Sequence, residues 1–361
     1  MTTAFAHFCR AFVLSLAAAL VGCAASPGVQ RAAEPVQSAP QGNWDVAALE
    51  DVLAYARAQK TTGFLIVQHR RTIAEQNWVL PDDAVQFRAA FVHGQAGPAL
   101  LEDVASQQKS FVALLVGMAV DRGLLDVDRP VSSFLGQGWS KAAPQAEASI
   151  TVRHLLEMTS GLGEDLRVEA QPGARFFYNT PAYAFTKQVL ERVTGRSLDD
   201  ITQAWLVVPL GLSDTSWRQR PPALADVGNP TGLVTTPADM ARVGQLLLDR
   251  GLGPDGKRVI SVAQLDALLT RTATNPAYGR LWWLNGSDHA LRAGAGAPRQ
   301  ESALVPAAPT DLVAALGAHD RKLFVVPSLD LIVVRTGQAA PARDFDQQLW
   351  LRLMKALPKR P

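Results

Sequence analysis

Ser106 and Lys109 stand three residues apart in the segment Val104-Ala105-Ser106-Gln107-Gln108-Lys109-Ser110. On a helix that spacing puts both side chains on one face. A helix N-terminus at Ser106 lends its positive end to an attacking alkoxide and to a developing oxyanion. Phe111, Val112, Leu114 and Leu115 follow and make a dry surround. Desolvation disfavours an ammonium, so Lys109 is expected to act as a neutral amine that accepts the serine proton. The chemistry predicted is nucleophilic, with an acyl-enzyme on Ser106 and Lys109 as general base. A Ser-x-x-Lys spacing alone is weak evidence, but an unpaired lysine heading a buried helix is costly.

The elements that must hold this pair follow from periodicity. Asp45 to Lys60 reads as a helix with Val46, Leu49, Val52, Leu53 and Tyr55-Ala56 on one face. Phe64–His69 and Thr72–Trp78 read as strands joined at Arg70-Arg71. Ser106–Arg122 is a strongly apolar helix that stops at Gly123. Thr151 caps Val152–Thr159, Thr180–Val193 is amphipathic, and Thr236 caps a helix with Pro237 at its first position. Leu312–Leu316, Leu323–Val326 and Leu331–Arg335 are strand-like, and Phe345–Leu357 closes the chain as a helix. Strands at both ends with helices between predict an α/β (α+β) fold. One antiparallel sheet comes from residues 45–105 and 275–361, and residues 106–274 form a mostly helical insert.

Composition narrows the function. The chain has 361 residues, 48% hydrophobic and 19% charged, which excludes a disordered, fibrous or coiled-coil protein. A net charge of +2, with no basic run, gives no electrostatic case for nucleic acid. Both cysteines, Cys9 and Cys23, fall near the N-terminus, so the body has no disulfide framework or cysteine zinc site. The six histidines show no HExxH spacing, and neither metal nor cofactor is predicted. Residues 1–22 read as a lipoprotein-type signal peptide. Arg10 supplies the charge, and the apolar run Ala11–Val21 is too short to span a bilayer. Its end, Leu20-Val21-Gly22-Cys23, resembles the bacterial lipobox, which implies a lipid anchor on Cys23. The alternative is an ordinary secretory signal cut after Ala25. Residues 23–44 make a flexible tether, and the expected location is the periplasmic side of a bacterial envelope.

Several motifs in order resemble the serine β-lactamase and penicillin-binding-protein superfamily, on its class C or esterase/amidase side. They are Ser106-x-x-Lys109-Ser110, Asp121-Arg122-Gly123-Leu124-Leu125-Asp126, Ile150-Thr151-Val152-Arg153-His154-Leu155-Leu156, Pro172-Gly173-x-x-Phe176-x-Tyr178-Asn179-Thr180, and Thr236-Pro237-x-Asp239-Met240. The resemblance spans about residues 46 to 361 and implies a β-lactamase-like fold. It implies that Tyr178 shuttles a proton to the leaving group, and that Asn179 or Thr180 contacts substrate. The third motif matches Gly317-Ala318-His319-Asp320-Arg321-Lys322. There the backbone N–H near Arg321 would complete an oxyanion hole with that of Ser106. His319 and Arg321 become substrate-binding candidates, while His154 is expected to be structural. The loop Asn285–Thr310 is expected to control access.

Ester, amide, D-amino-acid peptide and β-lactam hydrolysis share this constellation. Ala318 at the expected cation position and Asp320 nearby disfavour the β-lactam carboxylate, so esters or amides are expected to be hydrolysed better than β-lactams. An α/β-hydrolase would need a GxSxG elbow, which the chain lacks. A non-catalytic envelope protein on the same fold would have lost Ser106, Lys109 or Tyr178, and all three are present.

Overall fold

The computed structural model describes residues 43–225, 228–294 and 298–358. The signal segment, Cys23 and nearly all of the tether lie outside the described residues. Asp45 caps α1 (Val46–Ala58) by accepting from the Ala48 N–H, and α1 buries Leu49, Val52, Leu53 and Ala56. β1 (Thr61–Gln68) and β2 (Arg71–Asn77) form a hairpin. Its turn residues, His69 and Arg70, take left-handed φ of 50° and 61°, the geometry of a two-residue hairpin turn. α2 (Val85–Phe91), β3 (Val92–Ala96) and β4 (Ala99–Asp103) follow. A short 3₁₀ turn at Ala105–Gln107 then leads into α3 (Gln108–Asp121). α3 is buried from Gln108 to Ala119 on every side, so it is a core helix rather than an amphipathic one.

The middle of the chain supplies α4 (Ser132–Leu135), α5 (Pro144–Glu147), α6 (Val152–Leu156), α7 (Thr180–Thr194), α8 (Leu198–Thr202), α9 (Val208–Leu210) and α10 (Pro222–Ala225). Between and after them come β5 (Ser216–Gln219) and β6 (Thr231–Thr235), then α11 (Pro237–Leu248) and α12 (Val262–Leu269). The C-terminal part holds β7 (Trp283–Leu284), β8 (Ala290–Leu291), β9 (Arg299–Gln300), β10 (Val313–Gly317), β11 (Arg321–Val326), β12 (Leu331–Gly337) and α13 (Phe345–Ala356).

The main sheet has six antiparallel strands in the order β2-β1-β12-β11-β10-β7. β1 pairs with β12, Phe64 opposite Arg335 and Ile66 opposite Val333, so the two chain ends build one sheet. α1 and α13 pack on one face, where Trp350 meets Phe324 edge-on at 5.7 Å. α11 lies on the other face, close enough that a Cβ on Gly244 would come within 3.0 Å of Ile332. There the sheet needs a residue without a side chain. The stretch 106–274 is mostly helical, as its periodicity predicts, but it also carries β5 and β6. These strands join β3 and β4 in a second sheet of order β3-β4-β6-β5. Strand pairing thus ties the insert to the segment that leads into Ser106.

Candidate active site

β4 delivers the chain to the nucleophile turn. Its last residues pair with β6, Glu102 opposite Thr235 and Asp103 opposite Val234. Val104 donates its N–H to the Leu233 carbonyl at 2.9 Å. Ala105 then takes a left-handed φ of 51°, which a residue with a Cβ rarely adopts. Its N–H donates to Asp103 Oδ1 at 2.8 Å. Ser106 follows half-buried at the turn, and Lys109 lies one turn further on, 2% exposed.

Lys109 Nζ donates to Ser106 Oγ at 2.9 Å and to Thr180 Oγ1 at 3.2 Å. The rings of Tyr178 and Tyr183 each lie 4.8 Å from the amine. Burial brings the Lys109 pKa down to about 7, and the Arg220 cation adds to the effect. Facing two aromatic rings favours an ammonium by roughly 0.5–2 kcal/mol. Desolvation outweighs that here, because both of the amine's hydrogen-bond partners are hydroxyls and neither is a carboxylate. Near neutral pH about half of the lysine is therefore an amine with a free lone pair, one hydrogen bond from the serine.

Burial pushes the Tyr178 hydroxyl up to about 12, and a hydrogen bond with Ser106 pulls the other way. Tyr178 is thus a neutral phenol that can give and take a proton at Ser106. Its ring stacks on Trp283 at 5.8 Å, so β7 braces it. Asn179 and Thr180 divide the roles left open by the sequence. Asn179 caps α7 through Oδ1, which accepts from Ala182 N–H at 2.9 Å. Its Nδ2 donates to the Leu162 and Gly163 carbonyls, both at 2.8 Å, and the residue is 1% exposed. Its hydrogen-bonding capacity is used by the fold, so the substrate contact expected of it is corrected. Thr180 faces Lys109.

The third-motif segment also differs from expectation. The strand end that touches the nucleophile turn is Gly317. A Cβ there would come within 2.4 Å of the Val104 carbonyl, and one strand-step back Gln107 Nε2 donates to the Ala315 carbonyl at 3.1 Å. The strand beside the nucleophile turn therefore ends in Ala315-Leu316-Gly317, and the first residue beyond it is the exposed Ala318. Arg321 lies across the hairpin, paired with Gly317. Its guanidinium is fully buried and donates to Glu102 Oε2 at 3.2 Å and to the Ala318 carbonyl at 3.0 Å. The Phe91 ring lies 4.5 Å from it. A cation so enclosed cannot reach substrate, and both the side-chain and the oxyanion role expected of Arg321 are corrected. His319 packs its ring edge-on against Phe91 at 4.6 Å and is likewise taken up by α2. Asp320 turns away, its carboxylate accepting from Ala340 N–H at 2.9 Å and lying 3.4 Å from Lys322.

His154 shares a reciprocal cap with Thr151 at the start of α6, a structural role. The loop from Asn285 is pinned by the Asn285 side chain, which donates to the Val305 carbonyl at 3.0 Å and accepts from the Val305 N–H at 2.8 Å. Sequence reasoning missed the buried pairs Glu102–Arg321 and Asp103–Arg220. The available signal was two consecutive acids on a strand leading straight into a buried helix.

The family model described as Beta-lactamase matches residues 50–354. The chain is 28% identical over 231 residues to penicillin-binding protein 4 of Amycolatopsis lactamdurans, covering 50% of this chain and 60% of that protein. It is 31% identical over 158 residues to the esterase EstB of Burkholderia gladioli, covering 33% of this chain and 40% of that one. The chain thus spans less than two thirds of the length of either relative. It matches the crystal structure of a candidate beta-lactamase from Bacteroides dorei DSM 17855 with a TM-score of 0.65. That match has 17% identity and covers 87% of this chain and 99% of the other, a likeness of fold.

Proposed function

The chain belongs to the beta-lactamase family of serine hydrolases, and from that premise we propose that it hydrolyses a neutral ester or amide through an acyl-enzyme on Ser106. The observation that carries the reading is the 2.9 Å contact between Ser106 Oγ and a buried Lys109 that has no carboxylate partner. Lys109 takes the serine proton as Oγ attacks the carbonyl carbon. The backbone N–H groups of Ser106 and Ala318 receive the oxyanion, which needs only peptide groups and therefore tolerates Ala318. Tyr178 passes a proton to the leaving oxygen or nitrogen, and water then releases the acyl group by the same steps in reverse.

Two features support a substrate without a free carboxylate. The strand end beside the nucleophile turn carries Ala315, Gly317 and Ala318, none of them charged, and the Arg321 guanidinium is engaged by Glu102. Neither feature offers a cation free to pair with an anionic substrate. Cys23 serves as a lipid anchor in the same proposal, and Cys23→Ser should move the protein from the membrane to the soluble fraction.

A fluorophosphonate probe followed by intact-mass analysis tests the nucleophile. One adduct on wild type and none on folded Ser106→Ala is the expected result, and an adduct mapped to another residue overturns it. Substrate class is tested by comparing a short-chain neutral ester with a chromogenic cephalosporin. A cephalosporin kcat/KM of roughly 10⁴ M⁻¹s⁻¹ or more, exceeding that for the ester, would sink the neutral-substrate reading.

A further inference from the structure

The last two residues of β4 point to opposite sides, and each carries a buried carboxylate held by a buried arginine. Glu102 goes to Arg321. Asp103 goes to Arg220, whose Nε and Nη2 donate to Oδ2 and Oδ1 at 2.7 and 2.9 Å, a bidentate fork. The Asp103 side chain is 1% exposed and that of Arg220 7%. The space is built for this pair: a Cβ on Gly232 would come within 2.0 Å of Asp103 Oδ2 and 2.9 Å of Arg220 Nε. The Asp103 oxygen held by Arg220 Nη2 also accepts the Ala105 N–H at 2.8 Å. Ala105 is the residue in the left-handed conformation, immediately before Ser106.

We infer that Asp103, locked by Arg220, is a positioning residue that holds the strained turn at Ala105 and so sets Ser106 Oγ against Lys109. The argument rests on the acyl-enzyme reading of Ser106. A turn that L-residues disfavour persists only where its surroundings over-determine it. Here one carboxylate oxygen does so, and the arginine fork removes that carboxylate's own freedom to rotate. The pair has a second effect on the reaction. Around Lys109 lie Ser106, Thr180, Tyr178 and Tyr183, with the Arg220 cation and the buried Lys187 beyond. Around the ion pair itself lie His93, Arg218 and Arg321. Arg220 adds to burial in disfavouring the ammonium of Lys109, so the fork that orients the turn also helps to lower the pKa of its base.

Two double variants separate orientation from charge. Asp103→Leu with Arg220→Met keeps approximate shape but removes the acceptor for Ala105. Its acylation rate constant with the fluorophosphonate or ester should fall roughly 10²-fold, the scale of a misplaced reacting group, with KM little changed. Asp103→Asn with Arg220→Gln keeps an oxygen for Ala105. It should stay within roughly 10-fold of wild type while its acid limb of kcat/KM moves to higher pH. The comparator is Lys322→Met with Asp346→Leu, a pair of a buried lysine and a half-buried aspartate on the α13 face of the sheet. It should lower Tm and leave the acylation rate within roughly 3-fold.

A folded Asp103→Leu/Arg220→Met protein acylating at the wild-type rate overturns the inference, as does an equal rate loss in the comparator. If that variant does not fold, the Asn/Gln pair decides, and an unmoved acid limb overturns it. Wild type that takes no label at all refutes the acyl-enzyme reading instead.

Discussion

Lys109 and Lys187 both bring their amines close to the Tyr183 ring, at 4.8 and 5.7 Å from its centre. Both are buried, and burial lowers both pKa values. They differ in what surrounds the amine. Lys187 donates to Asn229 Oδ1 at 2.6 Å, the Thr231 carbonyl at 2.9 Å and Thr231 Oγ1 at 3.0 Å. Two of those three acceptors cannot return a proton, so Lys187 ties α7 to β6 and its start. Lys109 faces two hydroxyls, each able to donate as well as accept. Burial alone therefore does not make a base; what sets Lys109 apart is that every hydrogen-bond partner of its amine is a hydroxyl, one of them the nucleophile.

The substitution that cuts deepest into this contrast is Lys109→Arg. Arginine keeps the charge but cannot deprotonate, so kcat/KM for an activated ester should fall by roughly 10²-fold or more, as on losing a general base. Near-normal turnover in folded protein would reduce Lys109 to a second Lys187. The pH profile probes the same amine without mutation. Activity needs neutral Lys109, so kcat/KM should rise with pH and level off above about 7. Tyr178, at about 12, imposes no fall across the neutral range. A profile flat from roughly pH 5.5 to 9 would contradict this.

Thr180 and Asn179 give a smaller test. Thr180→Val removes one hydroxyl from Lys109 and should cost roughly 3- to 10-fold in kcat/KM, in line with one lost hydrogen bond. Asn179→Ala removes a helix cap and should lower stability by about 1–2 kcal/mol in denaturant titration. If the folded Asn179→Ala enzyme loses more turnover than Thr180→Val, the two roles have been assigned the wrong way round.

Side-chain chemistry was the legible part of this chain. Ser106 and Lys109 announce themselves by type and spacing, and a lysine heading an apolar helix has few structural uses. Asn179 could also have been read from Asn-Thr-Pro, an N-cap followed by proline in the first turn. The third motif was harder, because its contribution is a peptide N–H that any residue supplies. Only the tight approach of Gly317 to Val104 fixes its register, which brings Gly317 and Ala318, rather than Arg321, to the nucleophile turn. β5 and β6 were missed because each is at most five residues long and the pairing that holds them in a sheet, β6 with β4, reaches back more than a hundred residues. Arg321 read as a substrate-binding and oxyanion candidate, since its burial depends on Glu102, a residue distant in sequence.

The smallest expected effect on turnover belongs to Lys187→Met, and its signature is in stability. Activity should stay within roughly 3-fold, since no proton passes through Lys187. Removing its ammonium or amine leaves Asn229 and Thr231 without their donor, a cost of about 1–3 kcal/mol. The pH dependence gives the sharper reading. The folded pKa of Lys187 lies well below its ordinary value, so between the two the unfolded chain binds more protons and stability rises with pH. Lys109 acts with the same sign from about 7 upward. Above roughly pH 10 the tyrosines of the unfolded chain ionise while Tyr178 resists, and the rise ends. Wild-type Tm should therefore climb through the mildly alkaline range, and Lys187→Met should climb less. A wild-type Tm that falls between roughly pH 7.5 and 9.5 would mean that neither lysine is held neutral by its pocket, and the contrast between them would lose its physical basis.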